Sequence, residues 1–139
     1  MLSIVIISKN EESRIKACLE SVKWADEIIL VDGGSSDKTI EIAKQYTNII
    51  ISSKSEDFDI RRNQGMKEAK GDWVLFVDCD ERVLEDLRRE IQVLIESNEK
   101  AAYAISRKNI IFGTEVNYGP YKKDWIIRLF KKSEFESWI

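Results

Sequence analysis

Asp78 and Asp80 stand one residue apart at the end of an apolar run, Trp73-Val74-Leu75-Phe76-Val77, and Glu81 follows directly. Carboxylates this close repel one another unless a cation neutralises them, and an all-oxygen donor set suits Mg²⁺ or Mn²⁺. A cation held by so few side chains completes its shell with an anionic ligand, typically a diphosphate. For a D-x-D taken alone, a solvated acidic turn ahead of a helix cap is the competing reading. A second acid, Asp32, closes the run Ile28-Ile29-Leu30-Val31 and precedes Gly33-Gly34-Ser35-Ser36, a turn whose backbone can approach a ligand. Its carboxylate is placed to accept from a base N–H or a ribose hydroxyl; it could equally serve the turn, since Asp-Gly is a common turn pair.

These acids need elements to position them. Ser3-Ile4-Val5-Ile6-Ile7-Ser8 reads as a first strand, continuous in apolar residues and so suited to burial on both faces. Asn10 is expected to cap the next helix, with Glu11 and Glu12 in its first turn and a stripe of Ile15, Cys18, Leu19 and Val22. Residues 27–32 form a second strand, Asp37 caps a helix running through Ile40, Ile42, Ala43 and Tyr46, and residues 48–52 form a third strand. Asp59 opens a helix that Gly71 closes, the Asp78 strand is fourth, and a helix over about residues 84–96 follows. Alternation with short connections specifies parallel strands joined by right-handed crossovers, a doubly wound α/β sheet with helices on both faces. Ligands bind such sheets outside the carboxyl ends of the strands, where Asp32 and Asp78 both lie. After Lys100 the pattern changes to antiparallel or mixed strands at residues 102–107, 109–112 and 125–130, with turns at Gly113 and Gly119-Pro120.

The 139 residues fit one domain, and 43% hydrophobic with 34% charged residues describes an ordinary globular chain. No apolar stretch approaches the ~20 residues of a membrane span, and the apolar start lacks a basic leader and cleavage site. Cys18 and Cys79 form no metal or redox motif and are expected reduced, in a cytoplasmic protein. With no histidine anywhere, carboxylates must carry any acid–base chemistry. Residues 100–139 hold eight basic and four acidic residues, a net of +4 inside an overall −3. That end could meet phosphates, an anionic glycolipid or the inner face of a membrane as a peripheral contact, or be a solvated face. A glycine-rich dinucleotide fingerprint or P-loop is absent, because residues 8–13 contain no glycine.

Four blocks in order resemble the family 2 glycosyltransferases: residues 3–12, residues 29–39, Arg61-Arg62-Asn63-Gln64-Gly65, and residues 71–81. The later stretch, residues 118–130, is similar to the branch of lipopolysaccharide-core β-1,4-glucosyltransferase-like enzymes. The resemblance implies a GT-A fold and inverting transfer of a sugar from a UDP-sugar to a cell-envelope glycan or glycolipid. It implies no nucleic-acid partner. It places a divalent cation on Asp78 and Asp80, where Lewis-acid assistance reaches the departing diphosphate. Donor-nucleotide contacts fall on Ser8, Asn10, Glu11, Asp32, Arg62 and Asp78. Gly33 stands where many relatives have a second Asp, so the uracil contact rests on Asp32 alone. The family's general base lies beyond the D-x-D; Asp124 and Glu136 are the candidates here, and neither fits well. The expectation is a chain truncated at its C-terminus, a nucleotide-sugar-binding half over 1–100 and an incomplete acceptor side over 101–139. Its alternatives are a donor-binding fragment without turnover, or a nucleotidyltransferase, for which Lys9-Asn10-Glu11-Glu12 is a poor phosphate loop.

Overall fold

The computed structural model describes residues 1–121 and 124–138, Tyr121 by its backbone alone; Lys122 and Lys123 of the basic end lie outside the described residues. Three βα units come first: β1 (Leu2–Ser8) and α1 (Ile15–Val22), β2 (Glu27–Asp32) and α2 (Thr39–Ala43), β3 (Ile49–Ser52) and α3 (Phe58–Glu68). Then follow β4 (Trp73–Asp78), α4 (Glu85–Ser97), β5 (Ala102–Arg107), the hairpin β6 (Asn109–Ile111) with β7 (Thr114–Val116), and β8 (Asp124–Lys131). One six-stranded sheet runs β3-β2-β1-β4-β8-β5, parallel except for β8, which lies antiparallel between β4 and β5.

Side-chain alternation along the buried strands builds two cores. Ile4, Ile6, Leu30 and Leu75 pack with the α1 stripe Ile15, Cys18, Leu19 and Val22, with Ala43 of α2 and with Ile91 of α4. Val5, Ile29, Val31, Val74 and Phe76 pack on the other face with Met66 of α3 and with Phe130, Phe135 and Trp138. Helices therefore cover both faces, as a parallel sheet requires. The chain passes from β1 outward to β3 and then returns to β4 on the opposite side of β1, which makes the carboxyl ends of β1 and β4 the switch point of the sheet.

The helix starts differ from expectation. Asn10 does not cap α1: it sits in the left-handed region at φ 54°, and residues 11–14 form a turn before Ile15. Its side chain is drawn instead to another loop, where Oδ1 accepts from the Ser36 N–H at 2.8 Å. α3 is opened by Asp57 and not by Asp59, because Asp57 is the extended residue whose carboxylate accepts from the N–H groups of Asp59 and Ile60. Asp37 accepts from the Thr39 N–H at 3.0 Å but is not the cap of α2, which falls on Lys38, and α2 ends at Ala43, short of Tyr46. Gly71 lies beyond the Ala69 cap of α3; a Cβ there would come within 2.7 Å of the Ser3 backbone nitrogen, so close packing and not helix termination demands glycine.

Gly65 sets how closely α3 approaches the sheet. A Cβ on it would stand 2.3 Å from Cγ1 of Val5 and 3.1 Å from Cγ2 of Val31. Gly65→Ala is expected to cost about 1–3 kcal/mol, the usual range for overpacking, despite alanine's better helix propensity. Urea unfolding checks this, and a stability equal to wild type or higher would show that the helix can back away freely.

Candidate active site

The site is built on register. Ser8 pairs with Asp32 across β1 and β2, and Ile7 pairs with Asp78 across β1 and β4, so Ser8, Asp32 and Asp78 stand nearly level at the carboxyl edge. Asp32 is buried, and four internal donors meet its carboxylate. The hydroxyls of Ser8 and Ser35 donate to Oδ1 at 2.9 and 2.5 Å; the N–H groups of Gly34 and Ser35 donate to Oδ2 at 2.9 and 2.8 Å. The turn closes because Gly34 adopts φ 85°, which favours glycine.

The two loops at this edge are laced together. Asn10 N–H donates to the Ser35 hydroxyl, Glu11 N–H to the Thr39 hydroxyl, and Glu12 N–H to the Asp37 carboxylate. Ser8, Asn10, Glu11 and Asp32 are thus brought together in one frame. Beneath it lies Arg61, only 2% exposed, whose Nε donates to the Ser55 carbonyl at 2.7 Å. A Cβ on Gly33 would fall 2.3 Å from Arg61 Nη2, so the guanidinium fills the space that a side chain at position 33 would take.

At the end of β4 the acids meet arginines. Nη2 of Arg128, on β8, donates to Asp78 Oδ2 at 2.7 Å and to Glu81 Oε1 at 3.4 Å. Arg62 approaches from α3, with Nη2 3.8 Å from Asp78 Oδ1, Nη1 donating to Asp59 at 3.1 Å, and its guanidinium 5.2 Å from the centre of the Trp138 ring. Glu81 Oε2 accepts from the Asp78 N–H at 2.9 Å, which folds the acidic turn back on itself. Asp80 points outward, exposed, with no hydrogen bond or ion pair to the described residues.

The two base candidates lie differently. Asp124 is clamped by Arg107, which donates from Nε at 3.2 Å and from Nη2 at 2.6 Å, and that hydrogen-bonded pairing holds its carboxyl below the usual range. A carboxylate so stabilised is a poor proton acceptor. The pair's modest contribution to stability is present above the unfolded carboxyl's titration and fades as pH falls through the lowered folded value. Glu136 is exposed and lines a shallow cleft with Asn63, Met66, Lys67 and Lys132, apart from the Asp78 cluster. Cys18 and Cys79 are free thiols; burial pushes Cys18 up to about 12 and Cys79 higher still, so both stay protonated at neutral pH.

Sequence reasoning missed Arg61, Arg107 and Arg128 as members of this edge, although it placed Glu81 there with Asp78 and Asp80. A signal existed for Arg128, the lone charge in the apolar run Trp125-Ile126-Ile127-Arg128-Leu129-Phe130. One existed for Arg61 too, since it precedes Gly65 by four residues and shares its helix face. The basic end is not a single outward face: Arg107 and Arg128 turn into the acidic cluster, and Lys132 donates to the Ala69 carbonyl.

Among the described residues no group of three or more Asp, Glu, Cys or His side chains is arranged to hold a metal ion. The donors at hand are oxygens only, Asp78 and the unpaired Asp80, which fit a hard cation completed by water and phosphate. Asp78 would have to exchange Arg128 for that cation.

Residues 3–138 match the family model for Glycosyl transferase family 2. The chain belongs to that family. Among its relatives, a TPR repeat-containing protein of Synechococcus elongatus is 31% identical over 94% of this chain and 31% of its own length. An uncharacterized glycosyltransferase of Rickettsia bellii is 34% identical over 73% of this chain and 35% of its own length. The chain thus spans about a third of the length of these curated relatives. The fold matches S. aureus TarS residues 1–349 in complex with UDP-GlcNAc, at TM-score 0.70, 19% identity, 95% of this chain and 45% of that one. It also matches Mycobacterium tuberculosis glucosyl-3-phosphoglycerate synthase in complex with Mn²⁺, UDP and glucosyl-3-phosphoglycerate, at TM-score 0.52, 24% identity, 57% of this chain and 33% of that one. The family 2 chain therefore has a GT-A-like α/β fold. No helix among its described residues is long and apolar enough to cross a membrane.

Proposed function

We propose that this chain binds a nucleoside-diphosphate sugar, a UDP-sugar by preference, at the carboxyl ends of β1, β2 and β4 and takes part in glycosyl transfer from it. The observation that carries the reading is the level placement of Ser8, Asp32 and Asp78 at the switch point, with Arg62 and Arg128 facing the acids. In this reading the frame of residues 8–11 and 32–35 receives the nucleoside, with Asp32 on the uracil side. Asp78 and Asp80 hold a divalent cation, Mg²⁺ or Mn²⁺, which when bound supplies Lewis-acid stabilisation of the leaving diphosphate. Transfer inverts the anomeric carbon, and the acceptor is a cell-envelope glycan or glycolipid of the lipopolysaccharide-core type. The resemblance of residues 118–130 supports this. A peripheral, cytoplasmic-face location suits such an acceptor.

One observation favours a second reading, a donor-binding module without turnover. Asp124 is locked to Arg107, and Glu81 is engaged by Asp78, Arg128 and Arg107, so neither acid beside the cluster is an unencumbered base. A thermal-shift panel of uridine, guanosine and adenosine diphosphates and diphospho-sugars, with and without Mn²⁺, tests donor binding. At one hundred times the dissociation constant a ligand stabilises by about 2.7 kcal/mol, a shift of several degrees. Uridine nucleotides with Mn²⁺ should raise the transition. No shift with any of them would contradict the reading, and glycan transfer assays then separate turnover from binding alone.

A further inference from the structure

We propose that Arg62 and Arg128 are the two arms of a diphosphate clamp, held ready by Asp78 and released when a cation takes Asp78 from them. This deepens, and rests on, the reading of the crevice as a nucleoside-diphosphate site. Arg128 spends half of its side-on fork on Asp78, and Arg62, anchored to Asp59 by Nη1, leaves its side-on fork without a hydrogen bond. Arg128 uses Nη2 on Asp78 at 2.7 Å, and Arg62 points Nη2 at the other oxygen of the same carboxylate from 3.8 Å. In both residues Nε is buried and makes no hydrogen bond. Arg128 is only 7% exposed, so its unmet donor cannot be satisfied by bulk water. Leaving a charged donor buried and unpaired is costly, and such an orphan calls for a partner not supplied by the fold.

The missing partner is an anion with several oxygens. A guanidinium presents Nε and one Nη in parallel, a geometry that matches phosphate or carboxylate in bidentate fashion. Asp78 meets one donor of the Arg128 fork, faces the Arg62 fork at 3.8 Å, and so stands in for that anion. Trp138 supports the Arg62 plane, and Glu81 keeps a second hold on Arg128 after Asp78 leaves. Cation and arginines compete for Asp78, while the diphosphate rewards both, because its oxygens reach the cation and the freed forks together. Metal and diphosphate binding are coupled through one carboxylate, and Arg128 sets the coupling.

The test uses the whole chain and two probes, Mn²⁺ alone followed by the resonance of free Mn²⁺, and UDP at saturating Mn²⁺ followed by calorimetry. Arg128→Gln should bind Mn²⁺ alone more tightly, by about three- to tenfold, because a competitor for Asp78 is gone. The same variant should bind UDP more weakly, by about ten- to a hundredfold, the usual loss for one charged hydrogen-bonding group. These opposite signs are the signature; a folded variant in which both affinities fall together, or neither changes, overturns the clamp. If Arg128→Gln does not fold, Arg128→Lys keeps the charge without the fork and should lose about tenfold in UDP affinity. Wild-type UDP affinity in that variant would also overturn it. A wild-type chain that binds no UDP with Mn²⁺ defeats the functional reading itself, whereas wild-type binding with an unaltered Arg128→Gln defeats only the clamp.

Discussion

Asp80→Ala is expected to abolish the Mn²⁺-dependent part of UDP binding while leaving the fold untouched. The carboxylate is exposed and meets none of the described residues, so its removal should change stability by no more than about 0.5 kcal/mol. Asp78 then remains as the sole acidic donor, and it is already engaged by Arg128. A divalent cation with one contested protein ligand has little hold, and the UDP affinity measured with Mn²⁺ should fall to the value measured in chelator. Calorimetry with and without Mn²⁺ on both proteins checks this. Unchanged metal dependence in the variant would remove Asp80 from the site.

Asp32→Ala should act first on the fold. The carboxylate accepts four hydrogen bonds in a buried setting, and alanine strips Ser8, Gly34 and Ser35 of their acceptor at once. Breaking a buried charged network of this kind costs about 3–5 kcal/mol, a large share of the stability of a small domain. Urea unfolding should show it. Asp32→Asn keeps an acceptor and the side-chain shape, so it is the variant for binding. Its UDP affinity should fall by about one to two decades with the metal requirement retained, because a neutral amide holds the Ser8, Gly34 and Ser35 donors less firmly than the carboxylate and the frame that receives the nucleoside loosens. Equal affinity of Asp32→Asn and wild type for UDP would leave Asp32 as a turn residue only.

The dual character of Asp32 illustrates what the sequence could tell. Its place after the run Ile28-Ile29-Leu30-Val31 fixed it at a strand end, because a strand buried on both faces reads as continuous apolar residues. That the carboxylate is consumed by Ser8 and Ser35 was not legible, since Ser8 lies on a different strand and meets it only through sheet register. The same holds for Asn10, whose side chain had a local use as a cap and a distant one on Ser36, and the distant one won. Asp59 was read as the start of α3, and the extended backbone at Asp57, two residues earlier, makes Asp57 the cap instead.

Arg128 was the hardest residue to place. The rule that consecutive βα units add parallel strands puts β1 to β4 side by side. It says nothing of an antiparallel strand inserting between β4 and β5, which brings Arg128 to an acid 50 residues earlier in the chain. Periodicity reports which face a residue occupies, whereas strand order is decided by packing across the whole sheet. The acids of the site and Arg62 were therefore within reach of the sequence, and Arg61, Arg107 and Arg128 were not.

The central claim is that a nucleoside diphosphate binds at the carboxyl edge of β1, β2 and β4, and amide chemical shifts mapped during titration with UDP and Mg²⁺ test it most directly. The account predicts saturable shifts in three stretches that are distant in sequence and adjacent in the fold: residues 8–11, 33–36 and 78–81. Shifts confined to the β6–β7 hairpin or to the helix faces, or no shifts at all at millimolar UDP with Mg²⁺, would contradict it.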